Sequence, residues 1–223
     1  MVNNRRFPFR FPLASLAGVI AALAVGCQAP GPEIPLGHWS GDGTVIYDAW
    51  NAPEMPQADS HGGTIIRHYP THLRVWPGTL DGREVIMLEV LSQRDRLPKL
   101  GDRTYLRVAL VETARPTPNV TLYRVVAWLF NPKPDQPLTW DDNGPPHSAS
   151  AIERDGRVTV QIQYMDNFAD TLRFEGNTVY KSGVLFRKHE GLVHWSERLR
   201  PSSERDGLWP RQRDPDAASS SVP

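Results

Sequence analysis

Cysteine is almost missing from this 223-residue chain: Cys27 is the only one. One cysteine excludes an intramolecular disulfide and a multi-cysteine zinc site, so the core must supply the stability. An excess of basic charge is missing too. Lys+Arg and Asp+Glu stand at 25 each, and without residues 1–26, which hold three arginines and no acid, 22 basic side chains face 25 acidic ones. That balance argues against a nucleic-acid partner, which calls for a basic surface. Long apolar runs are few. Phe11 to Val25 is free of charge, but it is shorter than the roughly 20 residues a membrane-spanning helix needs. Helical periodicity is scarce, and no internal repeat is visible. No Gly-x-Ser-x-Gly nucleophile elbow occurs. Nothing in the pattern implies a catalytic centre, a metal or a cofactor.

What is present begins at the N-terminus. Arg5, Arg6 and Arg10 form a positive head, the Phe11–Val25 run follows, and small residues precede Cys27. That order is the layout of a secretion signal. Ala24-Val25-Gly26-Cys27 resembles the lipobox of bacterial lipoproteins, with Ala where Leu is commonest. The resemblance implies that the Cys27 thiol is acylated, that a peptidase cuts before it, and that the mature chain is anchored in the cell envelope. Two or more acyl chains anchor stably where one does not, each buried CH₂ contributing about 0.8 kcal/mol. With that thiol lipidated, no cysteine nucleophile remains. Gln28 in place of Asp implies the outer membrane, facing the periplasm. The Arg5-Arg6 pair is similar to a twin-arginine signal, but Phe7-Pro8-Phe9 does not match that pattern, which favours the general secretory route.

Four regions are expected: a signal peptide over 1–26, a proline-rich spacer over 27–36, an antiparallel β domain over 37–200, and a disordered tail over 201–223. The tail is rich in Ser, Pro, Asp and Arg, with Leu208-Trp209 its main apolar pair. Between spacer and tail the residues alternate with period two. Val158, Val160, Ile162 and Tyr164 interleave with Thr159, Gln161 and Gln163, the mark of a half-buried strand. Asp155-Gly156 before it is a hairpin signal. Strands are predicted over 43–49, 63–67, 72–76, 83–92, 104–113, 121–130, 157–165, 170–174, 178–188 and 192–198. Such spacing predicts an all-β fold, one antiparallel barrel or sandwich of roughly 8–10 strands. Residues 131–148 hold five prolines and read as a long loop, functional or mobile.

Gly37-His38-Trp39 opens the first strand, and His194-Trp195-Ser196-Glu197-Arg198-Leu199-Arg200 ends the last. A Gly-x-Trp at that place resembles the calycin group, the lipocalins and their relatives, whose barrels hold small ligands. The resemblance implies that Gly37 and Trp39 close one barrel end, with Arg198 or Arg200 packed on the indole by a cation–π contact.

Other clusters read as structural. His61, His68 and His72 lack a carboxylate to complete a metal set, and Pro70 interrupts their strand. Asp141-Asp142-Asn143-Gly144 lacks the acid and the distal Glu of a calcium loop. Asp166, Asp170 and Glu175 could pair as glycosidase acids only at a fixed separation. Trp39, Trp50, Trp76, Trp128, Trp140 and Trp195 could line an apolar pocket or fill the core and the barrel ends. Trp39, Trp76, Trp128 and Trp140 are the candidates to line an apolar pocket, with Trp140 the most exposed. The expected function is non-catalytic: a small apolar ligand or lipid held in a barrel. Its rival is an interaction protein that meets an envelope partner through its surface or the 131–148 loop.

Overall fold

The computed structural model describes residues 31–48, 64–93, 103–131, 136–141, 147–187 and 191–203. Trp50, His61, Trp209 and the signal, lipobox and most of the tail lie outside them. The described residues form ten strands: β1 Gly37–Asp48, β2 Thr64–Leu80, β3 Arg83–Gln93, β4 Arg103–Thr117, β5 Val120–Phe130, β6 Ser148–Arg154, β7 Arg157–Met165, β8 Phe168–Glu175, β9 Thr178–Arg187 and β10 Gly191–Pro201. Each pairs antiparallel with its sequence neighbours, and β10 returns to β1. The fold is all-β, a closed antiparallel barrel compatible with a calycin-like one. Closure gives every strand a neighbour on each side, so none is an edge strand.

Two strand assignments need correction, and they cancel in the count. The strands predicted over 63–67 and 72–76 are replaced by one strand, β2 Thr64–Leu80, which runs straight through Pro70. Pro70 stands opposite Asp42 of β1, while the β2–β3 ladder starts only at Thr71. Pro77 mirrors it: Ile86 of β3 lies opposite, beyond the end of the β1 ladder at Val75. Each proline therefore sits where β2 has a partner on one side only, an edge-like position where a missing N–H is tolerated. The second correction is β6, which falls at the end of the supposed loop. Its inward residues are Ala149 and Ala151, both buried, too small to stand out as a hydrophobic alternation.

The barrel has two unlike ends. At one, the connections are tight: 81–82, 118–119, 155–156 and 176–177. Asp81-Gly82 and Asp155-Gly156 have positive φ at both positions, as a type I′ hairpin requires. At the other end lie the connections 49–63, 94–102 and 131–147, with shorter ones at 166–167 and 188–190. We call these the closed end and the loop end. The closed end is plugged by the chain itself. A methyl placed on Gly31 would come within 2.8 Å of Thr121 Oγ1, near the start of β5. The segment then crosses to β1, and Ile34, 2% exposed, joins the interior cluster with Trp39. The expected spacer is thus docked from Gly31 onward.

A second apolar cluster covers the outside of β3–β5. Leu138 packs there with Val85, Met87, Ala109, Val126 and Ala127. The strap 136–141 is pinned by Asp141 N–H donating to Val126 O (2.7 Å) and Trp140 N–H to Asp81 Oδ2 (3.3 Å). Part of the proline-rich segment is therefore wall, and it covers Val85 and Met87 on the outer face of β3. Replacing Ile34 by Ala should lower the unfolding free energy by about 2–5 kcal/mol. Urea denaturation of the full chain checks it; a change under about 0.5 kcal/mol, typical of surface sites, would show that the plug carries no weight.

Candidate functional site

The barrel interior holds charge. Period-two alternation points Phe168, Asp170, Leu172 and Phe174 of β8 inward, and Val193, Trp195, Glu197 and Leu199 of β10 likewise. Between these strands β9 turns Val179 and Lys181 inward. Three charged side chains thereby meet inside. Lys181 Nζ lies 3.2 Å from Glu197 Oε1 and 3.5 Å from Asp170 Oδ1, and all three residues are at most 5% exposed. Neutral groups complete the network. Trp195 Nε1–H donates to Asp170 Oδ1 (2.9 Å) and the Tyr164 hydroxyl to Oδ2 (3.2 Å). The Tyr69 hydroxyl donates to Glu197 Oε1 (2.8 Å) and Thr71 to Oε2 (3.1 Å), with Ser92 3.2 Å from Thr71. Burial of charge is tolerable only with such pairing.

Two glycines make the network possible. Gly43 of β1 stands in register between Tyr69 of β2 and Glu197 of β10. A Cβ there would lie 2.6 Å from the Tyr69 ring and 2.9 Å from Glu197 Cγ. Gly183 of β9 stands likewise between Asp170 and Trp195, and a Cβ would collide with both. Each glycine is a gap across which the flanking side chains bond, the close approach an interior strand glycine often marks.

Towards the loop end the lining turns aromatic. Val126 is one residue too many in the β4–β5 ladder: Ala109 faces Ala127, but Leu110 faces Val125. The bulge resets the alternation, so Trp128 and Phe130 follow Val125 into the interior. Phe168 then contacts Tyr164 (4.5 Å between ring centroids), Phe130 (5.8 Å), Trp195 (6.0 Å) and Trp128 (6.1 Å). Trp128, Phe130 and Leu185 are only partly buried against this cluster.

The four candidate tryptophans separate into two pairs. Trp39 and Trp128 are interior, Trp39 lying edge-on to Phe174 at 5.5 Å near the closed end. Trp76 and Trp140 pack on the outer cluster, under the guanidinium groups of Arg74 and Arg83, each 4.4 Å from the ring. Trp140 is half-buried rather than exposed. Arg198 lies over Tyr180 at 6.0 Å, and it alternates with the inward Glu197 and Leu199. It therefore points out while Trp39 points in. Gly37 is at the start of β1 with φ 148°, its missing Cβ leaving room for the Trp39 ring.

Of the acids grouped by sequence, only Asp170 is interior; Asp166 is in the loop-end turn, and Glu175 pairs with Arg157 (3.1 Å) at the closed end. His68 Nδ1 lies 3.0 Å from Thr44 Oγ1. Among the described residues no group of three His, Cys, Asp or Glu side chains is placed to hold a metal ion. On the outer face Glu89, fully buried, is gripped by Arg74, Arg107 and the Tyr105 hydroxyl.

Sequence reasoning missed Lys181, Glu197, Tyr69 and Thr71. A signal existed for Glu197: like Asp170 it stands on the apolar phase of its own strand, and Gly43 interrupts the apolar phase of β1 beside it. In β9 the opposite phase, with Tyr180, Val184 and Phe186, is as apolar as that of Lys181, so no such signal existed there.

Asp170 is held above the ordinary carboxylate range, first by burial and then by Glu197, with Lys181 and the two hydrogen bonds opposing. Burial likewise lifts the Tyr164 hydroxyl well above its usual value. A raised carboxylate means that the folded chain binds the extra proton. Its contribution is full below the unfolded value, near 3.9, and is lost as pH rises through the folded one. In Asp170→Asn that loss disappears, so the variant should gain stability relative to wild type as pH climbs from about 4 towards neutral. Denaturant midpoints across that range measure the difference; a difference that falls with pH would mean that Lys181 dominates and Asp170 is held ionised. Lys181→Met leaves two buried carboxylates without their cation and should cost about 3–5 kcal/mol, read from the same denaturation curves at neutral pH; a loss under about 1 kcal/mol, the surface-pair value, would show that the pair is solvated.

Compared with known proteins, the chain matches no family model and no curated protein, so its functional reading rests on this geometry and on the sequence.

Proposed function

We propose that this chain is an envelope lipoprotein, anchored through Cys27, whose barrel holds a small apolar or amphipathic ligand entered from the loop end. One observation carries the ligand reading: among the described residues, the chain's own segment fills the closed end, and a group of aromatic side chains lines the interior towards the loop end. Ile34 and Trp39 are buried at the closed end, with Ile86 and Val158 partly buried beside them, while the partly buried residues towards the other end are Trp128, Phe130 and Leu185. An aromatic lining with polar groups deeper inside is the usual make-up of a small-molecule site. The charged girdle of Asp170, Lys181 and Glu197 forms its floor. The anchor reading is supported by the basic head, the charge-free run and the small residues before Cys27, and Gln28 favours the outer membrane.

A second reading, an interaction protein, is favoured by the outer face of β2, β1, β10 and β9. Ile66 (51% exposed), Val184 (40%), Phe186 (52%) and Leu192 (36%) lie there on adjoining rows of the sheet. Contiguous apolar surface of a few hundred Å² often marks a partner site.

Tryptophan fluorescence separates the two. In a Cys27→Ser chain purified without detergent, titration with fatty acids and lysophospholipids should give a saturable change. Trp128→Ala should weaken the binding about tenfold, or about 1.4 kcal/mol, while Trp140→Phe, on the outer wall, should leave it unchanged. No saturable response across the panel would remove the ligand reading and leave the interaction reading.

A further inference from the structure

We infer that the barrel stands on its membrane by the closed end and opens away from the lipid, so that ligand reaches it from the aqueous phase. The inference rests on the anchor reading. Its geometric basis is the docked segment 31–36. Gly31 and Pro32 are buried, Gly31 beside Thr121 and the Arg115 side chain, and Ile34 is locked in the core. The docked chain therefore starts at Gly31, on the β5 side of the closed end, ahead of the first residue of β1. From Cys27 to Gly31 the backbone spans at most about 14 Å, at about 3.5 Å per residue.

Two distances exceed that reach. Strands β1 and β10 have 12 and 11 residues. At a rise of about 3.3 Å and a tilt near 40° they make a wall about 30 Å high. The loop end thus lies beyond the lipid when Gly31 is near it. The barrel also cannot lie with its apolar flank on the bilayer. That flank is on β2, β1, β10 and β9, across the barrel from β5. Ten strands about 4.8 Å apart, tilted near 40°, enclose a backbone cylinder about 20 Å wide. With that flank down, Gly31 would be held above the bilayer by more than the tether allows. Ile66, Val184 and Phe186 are therefore kept off the lipid.

Surface charge does not set the orientation. The closed-end turns carry mixed pairs, Arg157–Glu175 at 3.1 Å, Arg173–Glu175 at 3.5 Å and Arg154–Asp155 at 3.7 Å. A mixed surface has little attraction to anionic headgroups, so the tether alone orients the barrel and salt leaves it unchanged.

The test uses the lipidated full chain in liposomes. With Cys27 acylated, an introduced cysteine is the only thiol. Asn177→Cys labels the closed end and Asp166→Cys the loop end; both positions are exposed turns. With a headgroup spin-labelled lipid as quencher, a fluorophore at 177 should be quenched at least about threefold more than one at 166, at low and high salt alike, because a wall about 30 Å high separates the two positions. Inserting twenty Gly/Ser residues between Pro30 and Gly31 should collapse the difference. Equal quenching in the natural chain, or stronger quenching at 166, overturns the inference. Intact mass showing an unmodified Cys27 overturns the anchor reading itself, and the inference with it.

Discussion

An ammonium group sealed inside a β-barrel is the constraint on which the rest of this structure turns. Lys181 has no water to solvate it, so it must find carboxylates, and both that it finds are as deeply buried as itself. Two carboxylates and one ammonium leave a surplus negative charge. Burial raises Asp170 towards its protonated form, which relieves that surplus without another cation. The neutral donors Trp195, Tyr164, Tyr69 and Thr71 then occupy the remaining oxygen positions. A half-satisfied network in this place would be worse than an apolar core, so the residues of six strands must agree at once.

That requirement reaches into the backbone. Barrel strands bring inward side chains of neighbouring strands side by side, which suits adjacent partners and obstructs the next but one. Tyr69 and Glu197 are separated by β1, and Asp170 and Trp195 by β9. Both pairs meet because Gly43 and Gly183 remove the obstruction. Glycine weakens a strand, and closure of the barrel on every side compensates by holding these strands between two partners each. The bulge at Val126 is a change of the same kind: it gives up one ladder position and aims two aromatic rings inward.

The all-β fold and its antiparallel order were legible because most strands alternate cleanly and are bounded by turn residues. Arg157 to Met165 shows why: its inward residues are all large and apolar. Ser148 to Arg154 shows the limit, since alanine and serine differ too little for a period to emerge. Pro70 shows another. A proline's effect depends on which neighbour its missing N–H would have faced, and that is a property of register, unseen until strands are paired. The candidate site was less legible. Trp76 and Trp140 share a residue type with Trp39 and Trp128 but stand on the opposite side of the wall, a difference decided by strand phase and by the docked strap. Lys181 and Glu197 passed as surface charges because charge is usually outside. For Glu197 the phase says otherwise, and phase is the stronger signal wherever the alternation is clear, as it is in β10 and is not in β9.

The asymmetry of the two ends follows from the meander itself. In an up-and-down barrel every second connection lies at the same end, so the chain can concentrate short turns at one and long connections at the other. Here the short set includes Asp81-Gly82 and Asp155-Gly156, whose positive φ values fix both turns tightly. The segment preceding β1 enters at that same end, because β1 starts there, and Ile34 uses the entry to fill the mouth. Any anchor placed just before this segment is therefore joined to the plugged end by construction. Polarity along the barrel axis and polarity relative to an anchoring surface are then one property, set by where the first strand begins.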